Sequence, residues 1–342
     1  MQKNSLSGGD SPDRRIGVTV LTGFLGAGKT SLLNRLVQDP AYADAAVIVN
    51  EFGEVGVDHH LVRQADARII LIEGGCICCT VNGGLVNTLR DLFMLALRRQ
   101  VKPFRRVVIE TTGLASPAAI LFTLRHEHFL AERYVYRGTI TVVDARHIPG
   151  QLESQPEAVQ QVALADIIAC TKSDLVDPSA LARARDAVAQ VNPGAAICVQ
   201  PLGAPLDARL LAPAKVSVRA YGDSLSGWMR AFSASSPAGR HGQVVQVVVA
   251  LPAPISRAAF HSGMARLQEV HHQALLRIKG LVVFPGESGP CAIHGVHRDL
   301  YPPVPLPAWP EGVAESRLVF IARGLDPGEL GRAVRQALGL PE

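Results

Sequence analysis

The chain has 342 residues, of which 48% are hydrophobic and 19% charged, with a mean hydropathy of +0.19. This composition excludes wholesale disorder and fibrous classes, and the length predicts about two domains. The net charge of +4 comes from 34 basic and 30 acidic side chains spread along the sequence, so neither a nucleic acid nor a membrane surface is expected as a partner. Only six residues are Lys (Lys3, Lys29, Lys102, Lys172, Lys215 and Lys279), so a Lys inside a motif carries weight. Residues 1–15 form a polar tail without the apolar core of a signal peptide, and no stretch approaches the ~18 apolar residues of a membrane span. A cytoplasmic protein is expected. There, clustered thiols bind metal or do redox work more often than they form bridges.

In chain order, strands are expected over Ile16–Leu21, Ala46–Val49, Ile69–Ile72, Arg106–Ile109, Thr139–Val143, Ile167–Ala169 and Ala196–Val199. Helices are expected over Ser31–Val37, Leu85–Arg99 and Ala180–Val191. Unbroken apolar runs alternating with helices predict a mostly parallel α/β sheet covered on both faces, over residues 16–212. Residues 213–242, rich in Pro, Gly, Ser and Ala, read as a linker. From 243 to 342 the order is β-α-β-β-β-α: strands at Gln243–Leu251, Leu275–Phe284, Cys291–His297 and Leu318–Ile321, a helix over Ser256–Val270, and a last helix opened by Asp326 and Pro327. This predicts a smaller α+β domain.

Four motifs carry chemistry. Gly23-Phe24-Leu25-Gly26-Ala27-Gly28-Lys29-Thr30 is a full G-x-x-x-x-G-K-[ST] loop between a strand and a helix. Its glycines let backbone N–H groups wrap phosphates, Lys29 reaches the β- and γ-phosphates, the Thr30 hydroxyl ligates Mg²⁺, and Ser31 follows on the helix. Thr171-Lys172-Ser173-Asp174 is close to the guanine-reading N-K-x-D loop: Asp174 accepts from the N1–H and amine of guanine, and Thr171 stands where Asn is usual. Glu110-Thr111-Thr112-Gly113 ends a strand, which suits Glu110 to the Mg²⁺ side and Gly113 to the γ-phosphate, with a surface Glu at a strand end as the alternative; Asp144 is a weaker carboxylate of the same kind. The fourth motif is Gly74-Gly75-Cys76-Ile77-Cys78-Cys79, a thiolate turn suited to Zn²⁺ or a similar ion, with a redox dithiol or inert buried Cys as alternatives. Cys170, Cys198 and Cys291 stand apart on strands and read as packing residues. The loop Asn50–Asp58 brings Glu51, Glu54 and Asp58, carboxylates suited to Mg²⁺ or the second metal, with a solvated loop acid as the alternative for each. His294 and His297, three apart on one strand candidate, should face opposite sides.

GFLGAGKT, VNEFGEVGVD, GGCICCTV, IETTG, VVDARH and TKSD occur in the order found in the CobW/YjiA-type P-loop GTPases, and LLRIKGLVVF, HGVHR and LVFIARGL resemble the CobW C-terminal domain. The resemblance spans nearly the whole chain. It implies a GTP-binding and GTP-hydrolysing metallochaperone, with GTP and Mg²⁺ as cofactors and Zn²⁺ or Co²⁺ as cargo on Cys76, Cys78 and Cys79. It also implies Lys29 and Glu110 as catalytic residues and an auxiliary metal contact from Glu54, with His126 at another matching position. The nucleotide would be bound by Gly23, Gly26, Ala27, Gly28, Lys29, Thr30, Ser31, Gly113, Thr171, Lys172 and Asp174. The expected partner is a client metalloprotein or metal-insertion enzyme, and the chain a monomer or nucleotide-dependent homodimer. No catalytic Gln or arginine finger is legible, which predicts slow intrinsic hydrolysis. A GTP-gated metal sensor or buffer, and a small-molecule kinase, stand as alternatives.

Overall fold

The computed structural model describes residues 15–49, 84–211, 244–252, 254–310 and 315–341. The strand expected at Ile69–Ile72, the loop at 50–58, the thiolate turn and the linker lie outside them.

The first sheet is built from β1 (Ile16–Thr22), β2 (Ala45–Val49), β3 (Arg106–Glu110), β4 (Tyr134–Asp144), β5 (Ile167–Thr171) and β6 (Ala196–Val199). Among the described residues its order is β2-β3-β1-β4-β5-β6, and every pair is parallel. Its strands are apolar on both faces because helices cover both. On one side lie Leu85, Leu89 and Leu92 of α2 (Gly84–Leu97) with Ile120 and Leu124 of α3 (Ala118–His126). On the other lie Leu32, Leu33 and Leu36 of α1 (Lys29–Gln38). Short helices α4 (His128–Arg133), α5 (Ile148–Ser154) and α6 (Pro156–Ala163) and the longer α7 (Pro178–Val191) complete the layers.

The second sheet is antiparallel: β7 (Val244–Ala250), β8 (Leu275–Val282), β9 (Cys291–Val296), β10 (Asp299–Leu300) and β12 (Arg317–Arg323) run in the order β10-β9-β8-β12-β7, with β11 (Val304–Pro305) on β9. The expected β-α-β-β-β-α order holds, with β10 and β11 added. One face packs on α8 (Arg257–His271) and α9 (Pro327–Leu338) through Phe260, Met264, Leu330 and Val334. The other packs on the first domain, where Leu281, Ala292, Val319 and Ile321 share one core with Val159, Val162, Val188 and Val191. Period-two alternation puts Arg277, Lys279 and Leu281 on that inner face.

Candidate nucleotide site

Chain leaves β1 through Gly23, whose φ is +147° and where a Cβ would lie 2.2 Å from the Val142 carbonyl oxygen, so the exit past β4 admits only glycine. Gly28 caps α1 in the left-handed region at φ 91° and ψ 27°. The turn leaves the first N–H groups of α1 facing the loop, where the helix dipole adds positive potential. Gly26, at φ 73°, has nothing within 4 Å of where its Cβ would be. Ala27 is buried beneath the loop and Ser31 is exposed beyond it. Lys29 Nζ lies 3.4 Å from the Phe24 carbonyl oxygen, across the loop. Such a cradle of donors with one ammonium fits a polyphosphate.

Thr30 Oγ1 donates to Glu110 Oε1 at 2.7 Å. Glu110 is 4% exposed and pairs in register with Leu21 of β1, so adjacent parallel strands bring the two motifs to one sheet edge. A hydroxyl and a carboxylate at the head of a phosphate-binding helix form the hard oxygen pair that suits Mg²⁺. Thr111 continues the join: its N–H donates to the Leu21 carbonyl at 2.9 Å and its hydroxyl to Thr22 Oγ1 at 2.8 Å. At Gly113 a Cβ would stand 2.5 Å from Leu25 Cδ2 and 2.8 Å from the Leu25 nitrogen, so this loop lies against the P-loop.

At the end of β5, Thr171 Oγ1 lies 2.7 Å from the Ala27 carbonyl and 3.0 Å from that of Val143. Its hydroxyl thus ties the base-side loop to the P-loop. Lys172, in the left-handed region at φ 54°, donates to the Gly26 carbonyl and to Asp144 Oδ2, both at 2.7 Å. Asp174 is exposed in the following single turn, Ser173–Leu175. Asp144 corrects the sequence reading, which grouped it with the Mg²⁺-side carboxylates. It is 3% exposed and bound to Lys172, because a carboxylate that deep needs a cation.

The two loops and Glu110 therefore meet at the carboxyl end of one parallel sheet, the position at which α/β proteins bind ligands. Residues 17–199 match the family described as CobW/HypB/UreG, nucleotide-binding domain. The chain belongs to that family. Residues 244–338 match the cobalamin synthesis protein cobW C-terminal domain. The chain is 32% identical over 325 residues to zinc chaperone YjiA of Escherichia coli, spanning 93% of this chain and 97% of the relative. It is 28% identical to zinc chaperone CobW of Pseudomonas aeruginosa, over 95% and 92% of the two chains. Among solved structures, Zn(II)-bound YjiA GTPase from E. coli superposes with a TM-score of 0.66 at 28% identity, covering 96% of this chain and 99% of that one.

In this CobW/HypB/UreG member, some contacts are not legible in the sequence and others match it. Gln161 of α6 reaches the Gly113 loop, with Nε2 3.1 Å from the Gly113 carbonyl oxygen; only the fold brings these distant segments together. His126, a family-matching position in the sequence, pairs with Asp299 of β10 at 2.6 Å. His297 lies past the end of β9 at φ 49°, so strand parity does not apply to it, whereas His294 is buried on β9. Cys170 and Cys198 are buried thiols that burial pushes up to about 11 and about 12, and burial also raises Cys291. These values suit packing rather than reactivity. Cys76, Cys78, Cys79 and Glu54 lie outside the described residues. Among the described residues, no three His, Cys, Asp or Glu side chains gather to hold a metal, and no helix is long and apolar enough to cross a membrane.

Proposed function

We propose that this chain is a Mg²⁺-dependent GTPase that binds zinc and couples nucleotide state to delivery of the metal to a client metalloprotein. The contact of Thr30 Oγ1 with Glu110 Oε1 at 2.7 Å carries the reading. It joins a P-loop hydroxyl to a buried carboxylate, as a Mg²⁺-nucleotide site requires. Gly23, Gly26, Ala27 and Gly28 supply backbone to the phosphates, Lys29 neutralises the β- and γ-phosphates, Ser31 extends the helix head, and Gly113 offers its N–H to the γ-phosphate. Asp174 reads guanine, with Thr171 and Lys172 bracing its loop from the P-loop side. When bound, Mg²⁺ neutralises charge growing on the phosphate oxygens. Cys76, Cys78 and Cys79 take the metal as cargo, with Glu54 as an auxiliary ligand.

Zinc is favoured because the full-length relatives are named zinc chaperones. Turnover of the protein alone is expected below about 1 s⁻¹, since the sequence shows no legible catalytic Gln or arginine finger. The test is zinc and cobalt competition against a chromophoric chelator, with a non-hydrolysable GTP analogue and with GDP, followed by transfer to a zinc-free client. Nucleotide-dependent affinity that is lost in the Cys-to-Ser variants is the expected result. Equal affinity in both nucleotide states, or in those variants, overturns the coupled site; retention without transfer leaves a sensor or buffer.

A further inference from the structure

Gln161 belongs to none of the nucleotide motifs, yet it is 1% exposed and aimed at one of them. Its Nε2 donates to the Gly113 carbonyl at 3.1 Å and to the Ala115 carbonyl at 3.2 Å. Both partners are acceptors, so only the NH₂ end of the amide can face them and the side chain has one orientation. The Gln161 backbone is fixed as well, because its own carbonyl accepts from Thr141 Oγ1 of β4 at 2.8 Å.

Two observations separate this residue from ordinary packing. Gln161 Oε1 is buried and without a hydrogen-bond partner among the described residues. A Met or Leu would fill similar space without stranding an acceptor, so the amide is retained for its donors. Gly113 itself has no side chain to hold it, and a Cβ there would strike Leu25. Fixing its carbonyl fixes the plane of the next peptide, and with it the course of the loop beside the P-loop.

The same helix is held from the second domain. α6 ends at Ala163, and Arg277 Nη1 of β8 donates to the Ala165 carbonyl at 3.1 Å. Asn192 Nδ2 secures the same turn, at 2.9 Å from both the Val162 and Ala165 carbonyls. An unbroken series of bonded groups therefore runs from Gly113 through Gln161 and α6 to Arg277.

We propose that Gln161 is the positioning residue of the Gly113 loop, holding it where it discriminates a nucleoside triphosphate from a diphosphate, and that α6 makes this hold depend on docking of the second domain. The inference rests on the reading that Gly113 faces the γ-phosphate. The experiment compares the full chain with Gln161→Met, which keeps size but loses the donors, and with isosteric Gln161→Glu, which sets a carboxylate against two carbonyls. Affinities for a non-hydrolysable GTP analogue and for GDP are measured together with kcat and KM for GTP. Both variants should bind the analogue about tenfold more weakly, the loss of one to two hydrogen bonds, while GDP affinity stays within about twofold. Unchanged discrimination, or equal loss for both nucleotides, overturns the proposal.

Hydrogen exchange of residues 111–117 without nucleotide keeps the two readings apart. Faster exchange in the variants supports positioning even if the wild-type chain shows no preference for GTP, an outcome that would instead sink the γ-phosphate reading. Unchanged exchange overturns positioning. Arg277 also pairs with Asp166, so Arg277→Lys keeps a cation for that carboxylate but loses the fork that reaches Ala165, and it leaves Gln161 intact if the Gln161 variants do not fold. It should weaken analogue binding about threefold, a fraction of one hydrogen bond. No change, in discrimination or in exchange of the loop, overturns the dependence on the second domain.

Discussion

Glu110 and Asp144 show how far neighbours decide the role of a side chain. Both end apolar strands and both are buried, but one accepts from a P-loop hydroxyl and the other from a lysine. Their consequences should differ. Thr30→Ala and Glu110→Gln are expected to slow GTP hydrolysis about 100-fold and to raise the Mg²⁺ concentration for half-maximal rate, measured by phosphate release, because preorganised electrostatics is lost. Asp144→Asn should leave the Mg²⁺ dependence unchanged while weakening guanine nucleotide binding, since Lys172 loses its anchor. Asp174→Asn is expected to cost about tenfold in GTP affinity by fluorescent-nucleotide titration, the price of one hydrogen bond to the base. The motif residues were legible because each lies within a few positions of its motif neighbours. The partner of Lys172 was not, because Asp144 reads only as another acid at the end of a strand until β4 and β5 pair.

Among the elements, strands were found more readily than helices. β6 appears at the expected residues, Ala196–Val199. β4 runs from Tyr134 to Asp144, well beyond the expected five residues, because YVYRG has polar and glycine positions that hide its strand character. There, Tyr136 and the Thr139 N–H spend their polarity on Asp166. α5 and α6 are not among the helices expected from the sequence, and in each a Pro occupies the first turn, where its missing N–H costs nothing. The second domain kept its predicted order because its strands are long and its last helix has a strong cap: Asp326 accepts from the N–H groups of Gly328 and Glu329. The join of β1 to the P-loop depends on a single glycine. Gly23→Ala should destabilise the fold by about 3 kcal/mol or prevent soluble expression, read by urea unfolding, as backbone strain and overpacking combine.

Across the whole molecule, the domains meet on one carboxylate. Asp166 pairs with Arg277 and, at 2.7 Å, with Lys279, and Lys279 stands beside His294 on the next strand. Burial works against ionised Asp166, but Arg277 and Lys279 outweigh it and hold the carboxyl well below the usual range. Burial, then Arg277 and Lys279, pushes His294 far below its ordinary value. Both groups take up protons more readily once unfolded, so their contribution is complete at neutral pH and lost on acidification, starting near pH ~6.5 for the histidine and ~4 for the aspartate. Tm should fall as the pH drops below about 6.5 and fall further below about pH 4, and His294→Gln should flatten the part of that slope above pH 4. Asp166→Asn leaves two buried cations uncompensated and is expected to cost about 3 kcal/mol in urea unfolding.

That junction also limits how the chain can be recombined. Arg277 and Lys279 occupy alternate positions of a single strand and converge on one acid, so β8 works as a two-pronged plug and Asp166 as its socket. A C-terminal domain grafted from a relative would seat only if its β8 brought both prongs in the same register. A graft shifted by one residue would turn them toward α8 and α9 and leave the socket empty.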